Sequence, residues 1–153
     1  MIRILPAVPQ DAAAIASLEA VCFAGLDPWG EEAVAATLSS PVGNCFLAKD
    51  GETPVGYLLG TFIAPEGEID RVGVLPAYRR QGIGKALLVP FCERAETVFL
   101  DVRASNLPAQ ALYRACGFTV CGKRSGFYRA TAAHPVEDAV LMSRQKSDSE
   151  KEV

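Results

Sequence analysis

The chain has 153 residues, of which half are apolar, and 15 Lys and Arg against 18 Asp and Glu give it a net charge of −3. This length suits one domain with a sizeable core, and the balanced charge argues against a disordered chain and against general nucleic-acid binding. Apolar runs are far shorter than the roughly 20 residues of a membrane span, and no signal-peptide pattern opens the chain, so we expect a cytoplasmic protein.

The first half of the chain predicts one strand, two helices and three further strands. Residues 2–5 form the first strand, a helix begins near Pro9-Gln10-Asp11, and a second helix runs from Glu31 to Ser39. Three apolar runs separated by turn residues then predict an antiparallel meander, with strands at 45–48, 55–63 and 68–75.

The second half alternates helices and strands. A helix beginning near residue 83 leads to a strand at 97–102, a helix at 107–116, and strands at 118–123 and 137–142. We therefore predict one α/β (α+β) domain over residues 1–143, a twisted mixed sheet of six to seven strands flanked by helices. Residues 144–153 are almost wholly polar and are predicted to be a flexible tail.

The cysteine and histidine content argues against a disulfide framework and a metal site. The five cysteines are odd in number and include no Cys-x-x-Cys pair. The single histidine, His134, stands beside Pro135 with no metal-site partner. We expect free thiols, no metal and no role for His134.

The stretch from Arg79 to Lys85 joins an apolar strand to a helix through a glycine-rich, basic turn. Glycines let a ligand approach the backbone closely, and the free N–H groups at a helix N-terminus carry partial positive charge. Basic side chains would add charge-assisted hydrogen bonds, so the turn is predicted to bind phosphate. It is not a P-loop, which requires Ser or Thr where Ala86 stands, nor a Rossmann turn, which requires a small residue in place of Leu87.

Two motifs together point to a family. The pattern Arg79-x-x-Gly82-x-Gly84 resembles the pyrophosphate-binding motif of the GNAT superfamily of N-acetyltransferases. The run Leu-Asp-Val-Arg-Ala-Ser-Asn at 100–106, followed by Ala-Leu-Tyr at 111–113 and Gly117-Phe118, resembles the second half of the same fold.

A narrower resemblance concerns the bacterial ribosomal-protein-alanine N-acetyltransferases, the RimI-like group. In that group Arg-Ala-Ser-Asn stands at the corresponding place, Pro-Trp precedes the second helix, and a Tyr followed by Glu-Asp closes the domain. The resemblance spans about residues 2 to 143. It implies an enzyme that moves an acetyl group from acetyl-CoA to a protein N-terminal α-amine, with a ribosomal protein as one candidate partner.

The resemblance also places acetyl-CoA along the strand and turn described above. In the family, the strand matching Val72-Gly73-Val74 splays from its neighbour and binds the pantetheine arm and the acetyl carbonyl, with Gly73 permitting close approach. Asn106 matches a residue that contacts the cofactor, although Asn is also a favoured N-cap for the helix that follows. The implied cofactor contacts are Val72, Gly73, Val74, Arg79, Arg80, Gln81, Gly82, Ile83, Gly84, Lys85 and Asn106.

For the chemistry, the resemblance assigns Tyr113 as the acid that protonates the leaving thiolate, a role that suits a phenol with a pKa near 10. The base is open between two carboxylates. RimI-like chains carry Glu where Asp101 stands, and the shorter Asp101 would act through a bridging water or be structural. Glu68 matches a carboxylate that many family members keep at the start of the splayed strand.

Acceptor binding is implied for four residues, which would border a peptide cleft. Each has a simpler interpretation, because Trp29 could be a core anchor, Tyr128 could pair with Phe127, and the acidic pair Glu137 and Asp138 could be a solvated face. If the acidic pair lines the cleft, it would attract a basic N-terminal peptide.

Two alternatives to N-terminal acetylation remain at this stage. The strand Glu68-Ile69-Asp70-Arg71-Val72 departs from the RimI-like Ile-Leu-Thr-Ile pattern, which favours a small-molecule acceptor such as a polyamine or amino sugar. The shortened Asp101 favours a CoA-binding module without turnover. The sequence leaves the oligomeric state open.

Overall fold

The computed structural model describes residues 1–147, which form one seven-stranded mixed sheet and four α-helices. The strands are β1 (Ile2–Pro6), β2 (Phe46–Asp50), β3 (Thr53–Ile63), β4 (Glu66–Val74), β5 (Thr97–Arg103), β6 (Thr119–Tyr128) and β7 (Glu137–Gln145). The helices are α1 (Ala12–Cys22), α2 (Glu31–Ser39), α3 (Ile83–Arg94) and α4 (Leu107–Ala115). Within the described residues, no helix is long and apolar enough to span a membrane.

The sheet order is β1-β2-β3-β4-β5-β7-β6. The first four strands form the predicted antiparallel meander, and β5, β7 and β6 are also mutually antiparallel. Only β4 and β5 pair in parallel, and α3 connects them, as a parallel crossover requires. The predicted domain, a mixed sheet of up to seven strands flanked by helices, is confirmed.

The two central strands, β4 and β5, separate partway along their length. They pair only over residues 66–69 of β4 and 97–100 of β5, with Ile69 opposite Leu100 as the last pair. The β3–β4 register shifts at this level and leaves Asp70 as an extra residue in β4. Such a bulge bends its strand. Beyond the bulge β4 stays with β3 and β5 stays with β7, so a V-shaped gap opens between them.

The core lies in two clusters. The larger contains the buried face of α3 with residues of β3, β4 and β5, and at its centre is the fully buried ring of Phe91. A Cβ atom at Gly60 or Gly67 would lie 2.6 or 2.9 Å from this ring, which explains both glycines. The second cluster is formed by α1, α2 and residues of β2 and β3.

The last strand is longer than predicted. Residues 144 and 145, assigned to the tail from the sequence, belong to β7, and Thr97 Oγ1 donates a hydrogen bond to Gln145 Oε1 at 2.8 Å. Pairing with β5 stabilises this polar end, so composition alone underestimates the length of the strand. Residues 148–153, the rest of the predicted tail, lie outside the described residues.

Candidate active site

A cavity of about 830 Å³ occupies the gap between β4 and β5 and extends to the turn before α3. Most of the residues proposed from the sequence line it: Val72, Gly73, Val74, Arg79, Arg80, Gly82, Ile83, Gly84, Lys85, Asp101, Asn106, Tyr113 and Tyr128. Five others lie outside the lining: Trp29, Glu68, Gln81, Glu137 and Asp138. The fold thus brings the motif turn, the β4 edge and α4 to one continuous surface.

The motif turn ends at Gly82, the N-cap of α3, whose φ of 78° is in the left-handed region. A Cβ atom there would meet nothing within 4 Å, so the glycine is required by its backbone conformation and leaves open space. The first helical hydrogen bond runs from Ala86 N to Gly82 O at 3.0 Å. The N–H groups of the first turn of α3 therefore lack helical partners and attract an anion.

The free edge of β4 forms the long wall of the cavity. Beyond Ile69 the strand pairs with β3 on one edge only, which leaves backbone groups on its other edge for a ligand. Arg79 Nε donates to Val74 O at 3.0 Å and fixes the end of this edge. At Gly73 a Cβ atom would lie 2.6 Å from the Tyr57 hydroxyl oxygen, so packing from the opposite face also requires glycine there.

Tyr113, on α4, faces the cavity from the side of β5. Its side chain is buried, with its ring tilted at 59° to Phe118 and 5.8 Å between ring centroids. Burial raises the pKa of Tyr113 above its usual value, so the phenol is protonated at neutral pH. The hydroxyl makes no hydrogen bond within residues 1–147 and can donate to a bound group.

Asn106 combines the two roles considered from the sequence. Its Oδ1 accepts a hydrogen bond from Ala109 N at 3.2 Å and caps α4. The same residue lines the cavity, so the cap does not remove it from the site.

Three carboxylates lie near the point where β4 and β5 separate. Asp101 lines the cavity, and its Oδ1 accepts a hydrogen bond from Arg124 Nε at 2.9 Å. Glu68 is exposed within the paired part of β4. Asp70, at the bulge, also lines the cavity, and burial together with the charge of Glu68 raises its pKa to about 6. Sequence reasoning missed Asp70, because it is one of several charged residues in β4 and only the bulge sets it apart.

The residues proposed for acceptor binding separate into two groups. Tyr128 lines the cavity, and the Arg103 guanidinium lies 4.3 Å from its ring centroid. The acidic pair instead has protein partners: Glu137 accepts from Ser105 N at 2.6 Å and Arg103 Nη1 at 3.3 Å, and Asp138 accepts from Gly126 N at 2.8 Å. These carboxylates hold β7 to neighbouring segments and are not among the residues that line the cavity.

A buried charge network lies behind β4 and was not found from the sequence. Glu19 on α1 is fully buried, and its Oε1 accepts from Arg71 Nε at 3.0 Å and Nη2 at 2.6 Å and from Trp29 N at 2.9 Å. Its Oε2 accepts from the Tyr57 hydroxyl. The Arg71 guanidinium lies 4.0 Å from the Phe23 ring centroid and lines the cavity. Trp29 therefore belongs to the network that holds Arg71, because its backbone N–H donates to the same Glu19 oxygen.

The signal for this network was the position of Glu19, four residues after the core residue Ile15 on the same helix face. A charged residue at a core position predicts a buried partner. Among the described residues, no group of three or more His, Cys, Asp or Glu side chains could hold a metal ion.

Comparison with known proteins agrees with this arrangement. The model of the Acetyltransferase (GNAT) family matches residues 12–118. N-alpha-acetyltransferase RimI of Mycobacterium tuberculosis is 40% identical over 144 residues, which cover 90% of this chain and 89% of the relative. The [ribosomal protein bS18]-alanine N-acetyltransferase of Escherichia coli K12 is 32% identical over 121 residues, covering 76% of this chain and 80% of the relative.

Solved structures show the same fold. The crystal structure of the ribosomal-protein-S18-alanine N-acetyltransferase from Escherichia coli superposes with a TM-score of 0.85 at 29% identity, covering 96% of this chain and 95% of that one. Arabidopsis thaliana NAA60 in complex with acetyl-CoA gives a TM-score of 0.80 at 21% identity, covering 95% and 98% of the two chains. The chain belongs to the Acetyltransferase (GNAT) family and is an N-acetyltransferase.

Proposed function

We propose that this enzyme acetylates the α-amine of a protein N-terminus, in the manner of a ribosomal-protein-alanine N-acetyltransferase. The observation that carries the proposal is the continuous cavity, in which a basic helix N-terminus, an unpaired strand edge and a protonated tyrosine follow one another. The relatives named for N-terminal and ribosomal-protein-alanine acetylation support the choice of acceptor.

The residues present fit acetyl-CoA. The first turn of α3, with Arg79, Arg80 and Lys85, offers N–H groups and positive charge for the pyrophosphate. The open space at Gly82 admits it. The free edge of β4 offers backbone donors and acceptors for the amides of the pantetheine arm. When bound, acetyl-CoA supplies the acetyl thioester, and the protein supplies orientation and proton transfer.

Two steps of the reaction are assigned to this chain's groups. An N–H on the free edge of β4 donates to the acetyl carbonyl oxygen and stabilises the negative charge that develops there. The Tyr113 hydroxyl gives its proton to the departing thiolate. Of the two carboxylates considered for the base, Asp101 lines the cavity but its Oδ1 accepts a hydrogen bond from Arg124, and Glu68 does not line the cavity.

An N-terminal amine asks less of a base than a lysine does. The α-amine pKa is near 8 and that of lysine about 10.4, so at neutral pH about one α-amine in ten but only about one lysine in a few thousand is already neutral. This pKa difference corresponds to about 3.3 kcal/mol. A site with short aspartates rather than a glutamate suits the less demanding acceptor.

Acetyl-CoA binding is tested at the turn. Gly82→Val adds a β-branched side chain at a φ of 78° and fills the space before α3, so acetyl-CoA affinity should fall at least tenfold, about 1.4 kcal/mol. Isothermal titration calorimetry measures the change. Gly51→Val is the matched control, because Gly51 has a φ of 60°, also meets nothing within 4 Å and lies in the β2–β3 turn away from the cavity. Equal affinities in two folded variants would contradict the assignment.

Acceptor choice is tested with a panel of peptides and amines, with mass detection of the product. A peptide with a free N-terminal alanine should be acetylated at its α-amine, and the N-terminally blocked peptide should remain unlabelled although it contains lysine. Because Glu137 and Asp138 do not line the cavity, basic residues added near the N-terminus should change the rate less than threefold. Labelling of spermidine or an amino sugar, with none of free N-termini, would favour the small-molecule alternative. Binding of acetyl-CoA with no thiol release for any acceptor would favour a module without turnover.

A further inference from the structure

Two carboxylates flank the closed end of the cavity. Ile69 and Leu100 form the last pair between β4 and β5, so Asp70 and Asp101 are the first residues of the two diverging strands. Both line the cavity. The end of the gap therefore carries one carboxylate on each strand, and Tyr113 lines the same cavity.

These two carboxylates differ in their partners. Asp101 is held by Arg124 at 2.9 Å. The carboxylate of Asp70 makes no hydrogen bond and no ion pair within 4 Å with any residue from 1 to 147. The adjacent Arg71 would be its natural partner, but two of the Arg71 donor nitrogens are bound to Glu19. Arg71 thus pairs with Glu19 and acts on Asp70 only through its charge.

The surroundings make Asp70 a stronger base than an ordinary aspartate. Partial burial disfavours its charged form, and Glu68 adds repulsion, while Arg71 opposes both; the pKa of Asp70 rises to about 6. It is still mainly ionised at pH 7, so it can attract a cation and then accept a proton. The charged and titratable groups around it are Cys45, Glu68 and Arg71, with Glu19 behind Arg71, and across the cavity Asp101, Arg103, Tyr113 and Tyr128.

We propose that Asp70 binds the ammonium group of the acceptor and takes its first proton. The inference rests on the proposed function only in that the acceptor is an amine. An unpaired carboxylate facing the cavity is complementary to an ammonium ion, and neither Asp101, held by Arg124, nor Glu68, outside the lining, offers the same combination.

Two protons leave the acceptor nitrogen during the reaction. One N–H bond of the ammonium breaks and an O–H bond forms on Asp70, which leaves a lone pair on nitrogen. That pair forms the C–N bond to the thioester carbonyl carbon, and collapse of the adduct breaks the C–S bond. Tyr113 protonates the thiolate, the nitrogen loses its second proton to the Tyr113 phenolate through water, and Asp70 releases the first proton to solvent. The net reaction converts ammonium and thioester into amide, thiol and one proton.

The test is the pH profile of kcat/KM for an amine that the wild-type enzyme acetylates. With Asp70 present, kcat/KM should rise through a midpoint near pH 6 and level off near neutrality. Asp70→Asn must use amine that is already neutral in solution, so its midpoint should move toward the acceptor pKa, near 8 for an α-amine. At pH 7 the kcat/KM of Asp70→Asn should be about tenfold or more below that of wild type, and this difference should become smaller by pH 9.

Asp101→Asn and Glu68→Gln are the comparison variants, and both should keep the rise of kcat/KM with its midpoint near pH 6. The proposal is overturned if Asp70→Asn keeps the rise of kcat/KM near pH 6 and its kcat/KM stays within threefold of wild type at pH 7. It is also overturned if Asp101→Asn loses that rise instead. Failure of the proposed function would give a different result, because the panel would then show acetylation of an amine other than a protein N-terminus. The rise of kcat/KM near pH 6 could still be measured with that amine.

A second measurement does not depend on turnover. Because the native pKa of Asp70 lies above its unfolded value, its ionisation removes stability as pH rises from about 4 to about 6. Asp70→Asn cannot ionise, so its melting temperature relative to wild type should increase over that range and then stay constant. A difference that does not vary with pH would show that the carboxylate is not the unpaired group required here.

Discussion

Tyr113→Phe should lower kcat by about 10²-fold or more while the fold and the affinity for acetyl-CoA persist. The variant keeps the ring that packs against Phe118 and removes only the hydroxyl. Because burial raises the pKa of Tyr113, the wild-type phenol stays protonated through pH 9, and kcat should show no alkaline decline below that pH. Thiol release under saturating substrates measures the effect.

Tyr128→Phe is the informative comparison for that experiment. Both tyrosines line the cavity, and each substitution removes one hydroxyl. If Tyr128 contacts the acceptor and not the leaving group, its loss should raise KM and leave kcat within about threefold. A Tyr113→Phe enzyme that turns over within threefold of wild type would mean that water supplies the proton.

Glu19→Ala should destabilise the fold by about 3–5 kcal/mol. The substitution removes one carboxylate from four donors and leaves the Arg71 guanidinium, whose side chain is 14% exposed, without its counter-ion. A buried unpaired charge costs far more than an exposed one, because water cannot replace the lost partner. Urea denaturation at pH 7 measures the free energy of unfolding.

The control for this prediction is Glu52→Ala. Glu52 pairs with Arg3 at 2.9 Å, but both side chains are exposed, so the loss should be about 1 kcal/mol or less. A double substitution of Glu19 and Arg71 by leucine should recover much of the stability lost in Glu19→Ala, because no unpaired charge remains. A cost below 1 kcal/mol for Glu19→Ala would show that water reaches the network.

The sequence was sufficient for the fold and for much of the cavity wall. The turn from Arg79 to Lys85 could be located because glycine, basic charge and helical periodicity occur together in a few consecutive residues. Tyr113 and Asn106 were identified because the runs at 100–106 and 111–113 resemble the family pattern. These are local signals, and the structure places all of them on one cavity.

Partners that are distant in sequence could not be predicted. The alternation of side chains between the two faces of β4 cannot be extended through Asp70, because the bulge inserts one residue and changes which side chains share a face. The acidic residues Glu137 and Asp138 looked available, but their partners Ser105 and Gly126 donate backbone N–H groups that no sequence pattern reveals. Gly73 was interpreted through a ligand, whereas the Tyr57 hydroxyl behind it already excludes a side chain.

The Glu19–Arg71 pair couples two positions that are 52 residues apart, so a substitution at one changes the effect of a substitution at the other. Replacing either residue alone leaves the other with an unpaired charge at a largely buried position. A lineage can leave this state only by changing both positions within a short interval, or by first gaining enough stability elsewhere to tolerate the intermediate. The position of Arg71 beside the cavity therefore depends on a carboxylate in the first helix, outside the motifs that identify the family.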